Sequence, residues 1–202
     1  MIAIIDYGVG NLFSLSASLK MLEIPAIITK DEQKIADASH IILPGVGAFG
    51  DASEILKNSG LSNVVVQNAQ KKPLMGICLG MQLLFEKGYE FGEYDGLGLI
   101  KGDIVSLKND IKSDIKIPHM GWNKLENIKD CPILKHIKSN EYVYFVHSFY
   151  AKTENKYITS TSPYEIDVTA TVQNDNIFGC QFHPEKSGEV GLKILKAFYE
   201  YN

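Results

Sequence analysis

Several protein classes are excluded by what this 202-residue chain lacks. It has three cysteines, Cys78, Cys131 and Cys180, an odd number set far apart, which fits neither a disulfide framework nor a CxxC zinc pattern. No His, Cys and carboxylate spacing resembles a metal site, and no metal or cofactor is expected. No stretch reaches the roughly 18 apolar residues of a membrane span, and the opening "MIAIIDYGVGN" turns polar too soon for a secretion signal. No block of five like charges occurs and the net charge is only −4, so neither nucleic acid nor an anionic membrane is expected as main partner. Internal repeats, low-complexity tracts and Gly/Ser linkers are also absent, which points to one domain over 1–202 in a reducing cytoplasm. What remains, 45% hydrophobic and 22% charged residues, suits an α/β domain with a sizeable core.

The first half alternates short apolar runs with helical spacing. "IAIID" (2–6) predicts a buried strand, and Leu12, Leu15, Leu19 and Leu22 then recur at helical intervals. "AIIT" (26–29), "HIILPG" (40–45) and "KPLMGI" (72–77) predict further strands, with a polar stretch between the first two. Helices are expected around 51–57, 61–70 and 79–86. This alternation predicts a mixed, mostly parallel central sheet with helices on both faces. After about residue 95 the runs become β-branched and aromatic: "GLGLIKGDIVSL", "EYVYFVHSFYA", "KYITSTS", "DVTATVQ" and "NIFGCQFH" read as antiparallel or mixed strands. "GEVGLKILKAFYEY" closes the chain as an amphipathic helix.

The chemistry-bearing stretch is "GICLG" (76–80). A nucleophile on a sharp strand-to-helix turn needs small neighbours, because the backbone is tightly bent and closely approached. Such a turn exposes Cys78, puts it at a helix N-terminus that favours thiolate, and leaves the Leu79 N–H placed for an oxyanion. A buried strand-end cysteine beside a packing glycine would give the same pattern. A nucleophilic thiol needs a base, and "QFHPEKS" supplies His183 with Glu185 two residues on. The intervening proline restricts the backbone so that both side chains can be aimed at one place. "LPGVGAFGD" (43–51) is a glycine-rich strand-to-helix loop that can turn N–H groups toward an anion, or be a plain turn, with a helix starting near Asp51. "DYGVGN" (6–11) lacks the third glycine of a dinucleotide fingerprint. "IPHMGWN" (117–123), with the only Trp, suits either core or an interface. His147 in "YVYFVHSFY" reads as a hydrogen-bonded structural histidine, whereas His40, His119 and His136 have no constellation around them.

Together these motifs resemble the class I (triad) glutamine amidotransferases over essentially the whole chain. "PGVGAFG", "PHMGWN" and "YFVHSFY" are similar to the branch of glutaminase subunits that serve a TIM-barrel cyclase in histidine biosynthesis. The resemblance implies the three-layer, flavodoxin-like fold of that family and a Cys78–His183–Glu185 triad that hydrolyses L-glutamine through a thioester, without a cofactor. It further implies an oxyanion site from Leu79 and the Gly45–Val46–Gly47 loop, and substrate contacts from Gln82, Glu90 and the Ser148–Phe149 backbone. Asn11, Pro118, Met120, Trp122, Tyr144 and Lys186 match positions near the interface of a heterodimer with the cyclase. Family members are slow until that partner binds its ligand, which implies an oxyanion loop resting in an unproductive conformation. Paralogous pairs that amidate surface-sugar precursors would look nearly the same, and Cys131 and Cys180 are expected only to pack.

Overall fold

Four residues without a polar side chain, Ile2–Ile5, form β1, and all four are buried. Burial on both faces is what a central strand of a parallel sheet requires. Helix α1 (Leu12–Met21) follows, then β2 (Ala26–Thr29), α2 (Glu32–Asp37) and β3 (His40–Leu43). Helices α3 (Phe49–Asn58) and α4 (Leu61–Ala69) lead to β4 (Leu74–Ile77) and the single turn α5 (Leu79–Gln82). The strands β5 (Lys87–Gly88), β6 (Tyr94–Asp95), β7 (Asp103–Ser106), β8 (His119–Lys124) and β9 (Glu126–Asn127) come next. They are followed by β10 (Tyr142–His147), β11 (Phe149–Lys152), β12 (Ile158–Tyr164), β13 (Ile166–Asn174), β14 (Ile177–Cys180) and α6 (Gly188–Tyr199). This computed structural model describes residues 1–201.

The main sheet has eight strands in the order β2-β1-β3-β4-β14-β13-β12-β9, parallel from β2 to β14 and antiparallel beyond. Alternate residues feed two cores. Ala3, Ile5, Ile41 and Leu43 face α2, α3 and α4, while Ile2, Ile4, Ile42 and Met75 face α1 and α6. The expected mixed, mostly parallel sheet between helical layers is therefore observed. The aromatic second half divides: β8 pairs with β10 as a separate ribbon, and β11-β7-β5-β6 form a third sheet.

Three local differences from the periodicity have tertiary causes. The polar stretch between β2 and β3 contains α2, whose Asp31 side chain accepts from the Lys34 N–H at 3.0 Å and whose last carbonyls accept from Lys72 Nζ. Helix α3 begins at Phe49 rather than near Asp51, because Glu90, distant in sequence, accepts from the Phe49 N–H at 2.8 Å and caps it. Helix α5 stops after one turn instead of running to 86. The Leu83, Leu84 and Phe85 carbonyls accept from backbone N–H groups of Leu97, Gly98, Leu99 and Ile100. That pairing also keeps 96–100 out of the strand expected there, so β7 starts only at Asp103.

Where β3 and β4 end, the layers meet closely. A Cβ on Gly80 would lie 1.8 Å from the Leu43 carbonyl oxygen, and one on Gly76 would lie 2.6 Å from the Gly80 carbonyl oxygen. Both obstacles are backbone and cannot step aside. Gly80→Ala should lower the unfolding free energy by about 3 kcal/mol or more. Gly60→Ala, strained by φ +79° but facing open space, should cost about 1 kcal/mol. Urea unfolding of the two variants beside the parent checks the contrast.

Candidate active site

Cys78 follows the last residue of β4 and has φ 53° and ψ −110°, a conformation that side chains rarely adopt. Its N–H donates to the Cys180 carbonyl at 2.8 Å and its carbonyl accepts from the Gln82 N–H, so strand and helix both hold the bend. The backbone thus has the sharp strand-to-helix bend of a nucleophile elbow, although the Cys78 side chain is buried rather than exposed. One N-terminal helix turn, α5, is all that stands behind it, and the leading Leu79 N–H lacks an intrahelical partner.

Parallel pairing of β4 with β14, Ile77 opposite Cys180, brings the next residues of both strands to one sheet edge. Gln181 and His183 therefore arrive beside Cys78 from more than 100 residues away in sequence. His183 is held from several sides, its carbonyl also accepting from the Lys186 N–H at 3.0 Å. Its N–H donates to the Tyr144 carbonyl at 3.0 Å, its carbonyl accepts from Ser187 Oγ at 2.6 Å, and its ring Nδ1 meets Glu185 Oε1 at 2.8 Å. Ser187 Oγ also accepts from the Tyr144 N–H, tying the His-Pro-Glu turn to β10. On the outer side, a Cβ on Gly191 would fall 1.8 Å from the Pro184 carbonyl oxygen, so α6 lies directly against the turn. The Glu185 side chain is 3% exposed, and its ion pair with His183 is shut off from water.

Burial alone would lower the His183 pKa, but its hydrogen bond with Cys78 and then that with Glu185 outweigh it and raise the pKa from 6.5 to about 9. The imidazole is set to hold a proton between the Cys78 sulfur and the Glu185 carboxyl group, an arrangement that can pair a cysteine nucleophile with a base.

The glycine-rich loop lies against this turn. A Cβ on Gly45 would come within 2.8 Å of the Gly80 nitrogen and 2.9 Å of Leu79 Cβ. Val46 projects outward, 42% exposed, and Gly47 takes φ +102°. Tyr7 Oη donates to the Pro44 carbonyl at 2.8 Å and anchors the loop's start; burial, then the charge of Cys78, raises its pKa. Gln82 is buried and donates from Nε2 to both the Phe149 carbonyl and Gln181 Oε1, each at 3.0 Å. Glu90 stands at the far end of the loop, on the first N–H of α3. The Ser148 carbonyl accepts from the Leu107 N–H.

The six other predicted positions surround the same edge. Met120 and Trp122 are 60% and 56% exposed on β8, and Trp122 meets Tyr144 of β10 edge-on at 6.2 Å. Lys186 Nζ stands 5.9 Å from the Tyr144 ring, and Pro118 is exposed just before β8. Asn11, at the start of α1, lines a small cavity with His183 and Glu185. An apolar, exposed face thus begins one residue from the triad.

Sequence reasoning missed Gln181, Ser187, Tyr7 and His119. Gln181 Nε2 lies 3.7 Å from Cys78 Sγ; its place in "QFHPE" was the available signal. His119 has a constellation after all: its Nδ1 is 3.0 Å from Nε2 of His147, across the β8–β10 ribbon. His147 is hydrogen-bonded and structural, its Nδ1 donating to the Phe149 carbonyl. Cys180 packs under the site, burial raising its pKa, and Cys131 is likewise buried.

A family profile described as glutamine amidotransferase class-I matches residues 3–201. The imidazole glycerol phosphate synthase subunit HisH of Caldanaerobacter subterraneus is 50% identical over 202 residues, covering 99% of this chain and 98% of that protein. The Lactococcus lactis protein of the same name is 47% identical, covering 98% of each. Among solved structures, PurLQS from Thermotoga maritima superposes with a TM-score of 0.76 at 20% identity, over 99% of this chain and 97% of that one. A structure described as a glutamine amidotransferase gives 0.75 at 16% identity, over 98% of this chain and 100% of that one.

With a folded pKa near 9 against 6.5 for a free imidazole, the His183 pair stabilises the fold fully below pH 6.5 and loses that contribution as pH rises through 9. NMR titration should find the His183 ring changing near pH 9, and the midpoint should fall in Cys78→Ala, where only Glu185 still opposes burial. An unmoved midpoint would mean that thiolate and imidazolium are not paired.

Proposed function

The chain belongs to the class I glutamine amidotransferase family, and we propose that it is the glutaminase subunit of an imidazole glycerol phosphate synthase. As one domain it hydrolyses glutamine to glutamate and ammonia, and passes the ammonia to a TIM-barrel cyclase subunit that forms imidazole glycerol phosphate and AICAR in histidine biosynthesis. The observation that carries the chemistry is Cys78 at a strained strand-to-helix turn beside a buried, proton-holding His183–Glu185 pair. The near full-length relatives carry the pathway, and they leave nothing that favours a surface-sugar acceptor.

In this reading His183 takes the Cys78 thiol proton, and the thiolate attacks the side-chain carboxamide carbon of glutamine. The developing oxyanion is met by the Leu79 N–H and by an N–H of the Gly45–Val46–Gly47 loop. The imidazolium gives its proton to the departing nitrogen, and ammonia leaves a thioester on Cys78. Water, losing a proton to His183, then attacks the thioester; collapse releases glutamate and returns that proton to sulfur. Glu185 holds the ring's tautomer and balances its charge throughout. Both N–H groups of Gln82 are already committed, so only its Oε1 is left for substrate. It would therefore meet a donor, the α-ammonium, rather than the carboxylate. The Ser148–Phe149 backbone is assigned to the carboxylate, and Glu90, through the loop it caps, to substrate closure.

Ammonia released into water near neutral pH is protonated and loses its nucleophilicity, so a shielded exit is needed. The apolar face of Pro118, Met120, Trp122 and Tyr144, with Asn11 and Lys186 at its border, supports docking of the cyclase directly over the triad. No helix among the described residues is long and apolar enough to cross a membrane. We assign the work to the cytoplasm, where its three unpaired thiols would remain reduced.

Glutamate release should be strongly stimulated when the chain is mixed with the histidine-pathway cyclase of its own organism and the cyclase's ligand. Cys78→Ala should reduce that activity by about a thousandfold or more, and Glu185→Gln by about a hundredfold. Activity that survives Cys78→Ala would refute the thioester route, and a correctly folded chain that no cyclase stimulates would refute the assigned partner. Trp122→Ala should weaken cyclase binding, measured by titration calorimetry, by about tenfold or more.

A further inference from the structure

The nucleophile has a polar neighbour whose direction the structure dictates. Gln181 has no exposed surface, and its two amide atoms face different partners: one 3.0 Å from Gln82 Nε2, the other 3.7 Å from Cys78 Sγ. Which atom is nitrogen follows from the Phe149 carbonyl, an obligate acceptor on which two sets of buried donors converge. Asn123 Nδ2 donates to the Pro163 carbonyl and lies 3.3 Å from His119 Nε2. His119 Nε2 is therefore the acceptor and its Nδ1 carries the proton, which is given to His147 Nε2. His147 in turn must donate from Nδ1, and the Phe149 carbonyl receives it. Burial holds the pKa of both rings down, to about 4 for His119 and, with the charge of His119 added, to about 3 for His147, so each keeps one proton only.

The same Phe149 carbonyl receives Gln82 Nε2, since an amide oxygen turned there would face a carbonyl. With nitrogen fixed on Gln82, Gln181 must present Oε1 to it, and Nε2 is left facing the sulfur. The other backbone atom near Sγ is the Val146 carbonyl oxygen at 4.0 Å, which disfavours a thiolate. An N–H donor opposes that effect.

We propose that Gln181 is a catalytic residue whose Nε2–H donates to Cys78 Sγ and stabilises the sulfur anion, both before attack on the carboxamide and when the thioester collapses. Gln181 neither gains nor loses a proton; His183 does all the proton transfer, and the amide supplies a fixed dipole in a site closed to water. The role rests on the glutaminase reading for its chemistry, but the ionisation of the thiol can be read without glutamine.

The test is the pH dependence of Cys78 alkylation by iodoacetamide in the full chain, with Cys78→Ala as blank. Gln181→Glu, which has the same shape but turns an acceptor toward sulfur, should move the midpoint up by about one pH unit or more. Below the parental midpoint its rate should fall about tenfold, and Gln181→Met, which only removes the donor, should shift less in the same direction. A midpoint unchanged in both variants, with parental thermal melting, would overturn the proposal. Should either variant fail to fold, the parent itself decides. The Gln181 side-chain NH2 resonances should move as Cys78 ionises and stay still over that range in Cys78→Ala; resonances that do not follow the thiol would refute the contact. Loss of glutamate release in the variants with an unshifted alkylation profile would count against this assignment alone, whereas a parent chain that releases no glutamate even with the cyclase would sink the glutaminase reading and leave the alkylation result standing.

Discussion

Parallel pairing of β4 with β14 is the contact on which the site depends. It sets Ile77 opposite Cys180, so the residues just past both strands, Cys78 on one and Gln181 and His183 on the other, share one edge of the sheet. A slip of one residue would send these side chains to the opposite face. The register is held by burial on both sides, with Leu74 in one core and Met75, Ile77, Phe178 and Cys180 in the other. Glycine makes the closeness tolerable, since Gly76 under α5 and Gly179 beside Met81 have no room for a side chain. The strain at Cys78 is sustained by these surroundings and is what raises the sulfur out of the strand.

Around that edge, buried polar groups are arranged by sign. His183, beside Glu185, is raised in pKa and holds a proton, whereas His147 and His119, a short distance along β10 and β8, are held neutral. The difference comes from partners and not from depth. His183 sits between the Cys78 thiol and the Glu185 carboxyl group, while His147 and His119 meet one another, a carbonyl and an amide. Neutral rings donate in one direction along the ribbon to the Phe149 carbonyl, where the Gln82 amide also donates, and they place no further charge near Cys78.

The docking face and the catalytic edge are built from shared elements. Strand β10 carries Tyr144 outward, while its Tyr144 carbonyl holds the His183 N–H and its N–H is held by Ser187. A partner resting on Tyr144 and Trp122 would therefore press on the strand that supports the triad turn. A cyclase docked there, as proposed, would bring subunit contact and ammonia release to one patch of surface.

Much was determined by the sequence alone. Short, wholly buried runs in "IAII" and "HIIL", glycines on both sides of Cys78, and His183-Pro-Glu185 are local patterns, set by neighbouring residues in the chain. The mostly parallel sheet, and the stretches from which the triad and the docking face are proposed, were legible for that reason. Only tertiary structure decided where α3 begins and α5 ends, because the capping groups, Glu90 and the 96–100 backbone, are remote in sequence. It also decided that His119, which has no chemical neighbour in the chain's linear order, meets His147, and that Gln181 faces the sulfur. These contacts run across strands and between sheets, and their hydrogen-bond directions exist only once every partner in the network is in place.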